Sequence, residues 1–83
     1  MDDGIEFNEA AFRHGMSVED IRWVVTHPLY EDLLEGYLNK YLVLGYDTKR
    51  RLIEIMYNRI DDTTVNIFHA RKCTTKYFSL LGF

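Results

Sequence analysis

The stretch 37–70, YLNKYLVLGYDTKRRLIEIMYNRIDDTTVNIFHA, decides the fold. Three runs within it, 37–46, 51–58 and 63–70, are rich in Leu, Ile, Val, Tyr and Phe and read with a period of two. Polar links separate them, Asp47-Thr48-Lys49-Arg50 and Arg59-Ile60-Asp61-Asp62. Links this short join antiparallel neighbours, because a parallel crossover needs a dozen residues or more. An antiparallel meander is the expectation. In the middle run Ile53, Ile55 and Tyr57 share one face, and Leu52, Glu54 and Met56 share the other. In the last run Val65, Ile67 and His69 are expected together, opposite Asn66, Phe68 and Ala70.

Upstream, residues 5–7 suit a brief strand, and Asn8 is a good N-cap for a short helix over 9–14 that Gly15 ends. Ser17-Val18-Glu19-Asp20 then opens a second helix with a capping-box-like pattern, and its two acids suit the helix dipole. Val18, Ile21, Val24 and Val25 fall at helical spacing, and His27-Pro28 closes the element. The polar stretch 31–36 carries no strand signal. Beyond the meander, Thr74 or Thr75 is placed to cap a final helix carrying Phe78, Leu80 and Leu81. The reading is a single α+β domain over 1–83: two short N-terminal helices, an antiparallel β-sheet meander and a C-terminal helix, the helices on one face of the sheet. Val18, Ile21, Val25 and Phe78 are expected to pack against that sheet.

Composition narrows the classes. The chain is 47% apolar and 28% charged, as in an ordinary globular domain, and its twelve aromatics enlarge a small core. No apolar run approaches the ~20 residues of a membrane span, and the acidic MDDGIEF start lacks a signal-peptide layout. Cys73 is the single cysteine, so no intrachain disulfide forms. A cytoplasmic protein is expected. Charge is divided: residues 1–35 hold nine acids against two bases, whereas residues 36–83 hold four acids against eight bases. The pI of about 5.5 argues against a generic nucleic-acid binder, while the basic second half keeps an anionic substrate in view.

Three segments, in this order and spacing, resemble the BrnT-type toxins. FNEAAFRHGMSVEDIRWVVTHP is similar to their opening strand, His-Gly helix end and acidic capped helix. YLVLGYDTKRRLIEIMY is similar to their central hairpin, and VNIFHARKCTTKYF to their closing strand, Ala-Arg step and Tyr-bearing helix. The resemblance spans nearly the whole chain, from Ile5 to Leu81. It implies a RelE-like fold and a type II toxin, an endoribonuclease that cleaves mRNA and inhibits translation. It also implies a cognate antitoxin, usually ribbon-helix-helix and encoded adjacently, through which the toxin can oligomerise.

Cutting RNA without a metal needs a base at the 2′-hydroxyl, an acid at the leaving 5′-oxygen and cations for the phosphorane-like charge. Arg71 matches the family's Ala-Arg step, and its guanidinium offers phosphate a fork that an ammonium cannot; the competing reading is a salt bridge to the acidic half. His69 is either a base or acid or a packed histidine. Tyr57 stacks on a base or donates a proton, or else lies in the core. Lys49, Arg50, Arg51, Lys72 and Lys76 are candidate phosphate contacts, with solvated surface cations as the alternative. Lys49, Arg50, Arg51, Arg71 and Lys72 are expected on one surface, away from most of the N-terminal acids. His14 occupies the family's His-Gly position, with a structural role at a helix end also open. No metal-ligand spacing and no Gly-rich phosphate loop occur, so neither metal nor cofactor is expected. A non-catalytic interaction module is the second functional reading, favoured by the net acidity.

Overall fold

The computed structural model describes residues 3–83. Its five strands are β1 (Ile5–Phe7), β2 (Tyr30–Leu33), β3 (Lys40–Tyr46), β4 (Leu52–Asp61) and β5 (Thr64–Lys72), in spatial order β1-β5-β4-β3-β2. A 3-10 turn (Glu9–Phe12) and helix α1 (Val18–Thr26) lie between β1 and β2, and a 3-10 helix (Thr75–Leu81) follows β5. No helix among the described residues is long and apolar enough to cross a membrane.

This layout corrects the sequence reading, including the RelE-like arrangement that the resemblance implied. The sheet is mixed, because β1 pairs with β5 in parallel. Short links dictate antiparallel pairing only between consecutive strands, and β1 reaches β5 from the far end of the chain. Gly4 permits this entry: it sits at φ +78°, and a Cβ there would stand 2.1 Å from the Thr63 carbonyl oxygen. Residues 30–33, which overlap the 31–36 stretch read as polar connection, form edge strand β2. Three of its four residues are exposed, so water rather than a core sets their polarity. The 9–14 helix contracts to a four-residue 3-10 turn. The closing helix is 3-10 throughout, with no fully buried residue to anchor it.

Helix α1 forms as its caps dictate. The Ser17 hydroxyl accepts from the Asp20 N–H at 3.1 Å, and Ile21 and Val24 are fully buried. Val18 instead remains exposed. The sheet has two cores rather than one. On the α1 side, Ile21 and Val24 pack with Val43, Ile53, Ile55, Tyr57, Ile67 and Ala70. On the other side, Leu42 and Leu44 meet Met56, Tyr77, Phe78 and Leu81 of the closing segment. The helices are therefore not all on one face, and Phe78 packs on the side opposite α1.

The β3–β4 turn holds Arg50 at φ 63°, the left-handed region. A side chain there costs roughly 1–2 kcal/mol, and glycine's larger unfolded-state entropy offsets part of that. Arg50→Gly is expected to raise stability by about 0.5–1 kcal/mol, read as an increase in the denaturant midpoint at constant slope.

Candidate active site

A bulge in β5 builds the site. Tyr57 faces Ile67, but the next pair is Met56 with His69, so Phe68 is an extra residue on β5. One inserted residue reverses the facing of everything after it. His69 and Arg71 consequently leave the Ile67 face and lie with Met56 and Glu54, their cross-strand partners. The expectation that His69 and Ile67 share a face is overturned by this bulge. Strand β1 covers β5 only from Val65 to Ile67, so β1 leaves the strand edge from His69 onward unpaired.

Glu54 sits at the centre and is only 2% exposed. Its Oε1 accepts from the Thr74 backbone N–H at 2.7 Å and from the Thr74 hydroxyl at 2.8 Å. Its Oε2 lies 2.9 Å from Nε2 of His69. Burial pushes the Glu54 carboxyl up, but the Thr74 donors and then His69 outweigh it and hold it below the usual glutamate value. An ionised carboxylate only accepts, so Nε2 of His69 is the donor in this contact, and in the neutral tautomer that makes it the lone pair is on Nδ1. The His14 ring stands edge-on to His69 at 5.8 Å between centroids. Arg71 is half-buried, and its Nε is buried without a hydrogen-bond partner. Nearly all buried polar groups in folded proteins are paired, so this N–H stands out as an unmet donor. His69 and Arg71 thus lie across from the Met56–Glu54 stretch of β4, His69 held by the oriented Glu54 carboxylate and met by the His14 ring.

No family model and no curated protein matches this chain.

The other candidate residues are distributed elsewhere. Tyr57 is on the α1 face, stacked on Tyr41 at 5.0 Å, and its hydroxyl donates to Glu31. Burial and then the Glu31 carboxylate push that hydroxyl far above the ordinary tyrosine value, which disfavours proton transfer near neutrality. Lys49 lies 3.5 Å from Asp20, and Arg51 bridges Asp47 at 2.7 Å and Asp20 at 3.2 Å. The expected common cationic surface is therefore not formed: two of its five members pair with acids on the α1 side. Arg50 and Lys72 are exposed. Lys76 stands over the Tyr77 ring at 5.0 Å. The Thr74 N–H and hydroxyl point to Glu54, so the start of the closing helix is already occupied by a carboxylate. Cys73 is buried, and burial followed by Glu54 pushes its thiol up, which leaves it unreactive. Among the described residues no three His, Cys, Asp or Glu side chains gather as metal ligands.

Glu54 was missed by the sequence reading, although the pattern held a signal. It is the one charged residue inside the apolar run from Leu52 to Tyr57, and a carboxylate there needs partners. Its depressed acidity has a measurable consequence. Asp47 behaves alike, with burial raising it and hydrogen bonds from Arg51 and Lys49 outweighing that. A carboxyl whose folded value lies below its unfolded value adds stability above the unfolded value, and loses it as pH falls through the folded one. Denaturation free energy is therefore expected to hold above about pH 4.5 and to decline below it. In Glu54→Gln the decline becomes shallower, as denaturant titrations between pH 2 and 6 would show.

Proposed function

We propose that this chain is a metal-independent endoribonuclease, the toxin of a type II toxin–antitoxin system akin to the BrnT-type toxins. The observation that carries the reading is the meeting of the His14 and His69 rings at 5.8 Å, with Glu54 fixing one imidazole and Arg71 two residues further along the same strand. Nδ1 of His69 takes the proton of an RNA 2′-hydroxyl as that oxygen attacks the adjacent phosphorus. His14, in its protonated form, delivers a proton to the departing 5′-oxygen. Arg71 holds the charge that builds on the phosphoryl oxygens between them. Lys72 and Lys76 add phosphate attraction along the same chain segment. Tyr57 is assigned no chemical part, because it lies on the opposite face.

In this reading the substrate is mRNA, the compartment is the cytoplasm, and a ribbon-helix-helix antitoxin encoded adjacently restrains the toxin. Expression of the chain alone in bacteria is expected to arrest growth and fragment mRNA, and His69→Gln to relieve both. A second reading has an observation in its favour. Lys49 and Arg51 are neutralised by Asp20 and Asp47, as suits an interaction module with no RNA to hold. Normal growth on expression, with intact RNA, would select that module instead.

A further inference from the structure

On the sheet face away from α1, a groove of about 330 Å³ runs between β2 and the closing 3-10 helix. Its wall is apolar, made by Leu33, Leu34, Leu42, Tyr77 and Leu80, with Glu35 at the rim. Leu33 and Leu80 are each more than two-fifths exposed, and Leu38 in the adjoining turn is 95% exposed. Leucines clustered like this on a small domain mark a contact surface. The surroundings are acidic: Asp32 and Glu35 fall in a stretch with no Lys or Arg between Arg22 and Lys40. Neither Asp32 nor Glu35 makes a salt bridge among the described residues.

We propose that this groove docks a cationic amphipathic helix of a partner protein. Charge complementarity selects the sign: apolar anchors fill the leucine wall while Lys or Arg meet Asp32 and Glu35. The edge of β2 selects a helix over an added strand. The Leu34 N–H donates inward to Lys40, so in an antiparallel ladder Tyr30, Asp32 and Leu34 face β3 while Glu31 and Leu33 face outward. The Leu33 N–H is already taken by the Asp32 carboxylate at 2.8 Å. That leaves too few backbone groups for strand addition, whereas a helix satisfies its own backbone and docks by side chains. A second copy is disfavoured, since it would set Asp32 and Glu35 against their own duplicates, or bring up an α1 whose first turn exposes Glu19.

The probe is a synthetic helical peptide of Leu and Lys, with leucines at every third or fourth position, titrated into the full chain and followed by amide chemical shifts. The inference stands apart from RNA cleavage, so either can fail alone. Shifts centred on Leu33, Leu34, Leu42, Tyr77 and Leu80 are expected, with no binding of a Leu/Glu peptide of the same pattern. Leu80→Lys is expected to weaken binding about tenfold, equivalent to about 1.4 kcal/mol. The pair Asp32→Lys with Glu35→Lys should reverse the preference, taking the Glu peptide over the Lys peptide. A melting curve first establishes that each variant is folded. The proposal is overturned if nothing binds, if both peptides bind alike, if the shifts centre on the acidic face around Glu19 and Trp23, or if these leucines are instead buried in a concentration-dependent dimer.

Discussion

Arg71→Ala is expected to lower RNA cleavage about 10²–10³-fold, the usual effect of removing one preorganised donor to transition-state charge. The fold should survive the change. The Arg71 Nε makes no hydrogen bond that the truncation would leave unpaired, and Glu54 keeps its Thr74 and His69 partners. The thermal midpoint should move by the equivalent of about 1 kcal/mol or less. Arg71→Lys should restore only part of the rate, because a point charge cannot reproduce the fork of a guanidinium. Lys40 serves as the control cation. Its ammonium lies over the rings of Tyr37 and Phe68, and Lys40→Ala should cleave as the wild type does. Equal cleavage by the wild type and Arg71→Ala would remove Arg71 from the site.

Glu54→Ala is expected to act on stability as well. It deletes the acceptor of the Thr74 N–H and hydroxyl and strands His69 beside a void. Leaving a buried donor without its acceptor typically costs about 1–3 kcal/mol for each group, a large share of the roughly 5–15 kcal/mol that holds an ordinary domain together. Glu54→Gln separates the two roles. Its carbonyl still accepts from Thr74, and its amide then donates toward His69 Nε2. That reversal moves the imidazole proton to Nδ1, the atom required to be free. A wrong tautomer in an intact fold can lower turnover by up to about 10⁴-fold. Glu54→Gln should therefore remain folded at neutral pH and lose most activity, with the shifted tautomer visible in the imidazole nitrogen resonances. Full activity in a folded Glu54→Gln protein would leave the carboxylate a purely structural part.

What was legible in the sequence followed from local physics. The cap at Ser17 and the spacing of Ile21 and Val24 located α1, and alternation located β3, β4 and β5 with their antiparallel pairing. Edge strand β2 was hidden because Tyr30–Leu33 is wetted on most of its surface. The parallel docking of β1 was hidden because nothing in residues 5–7 names a partner sixty residues away. At the site, the residue types of FHARK were legible but their facing was not. Whether His69 lies with Ile67 or with Glu54 turns on the single extra residue Phe68, and a bulge leaves no mark on alternation that a reader of side-chain types can see. The Lys49–Arg51 turn shows the same limit for charge. Its cations look free until the tertiary fold brings Asp20 beside them. His14 and His69, far apart in the chain, meet only because the 3-10 turn packs against β5.

The most direct test of the central claim is cleavage of RNA by the purified chain in excess EDTA, with the product ends identified. A base acting on the 2′-hydroxyl and an acid on the 5′-oxygen predict a 2′,3′-cyclic phosphate and a free 5′-hydroxyl, formed at the same rate with and without chelator. Loss of that product in both His69→Gln and Arg71→Ala is the predicted result. Intact RNA with folded wild-type protein, or cleavage that stops on chelation, would contradict the account.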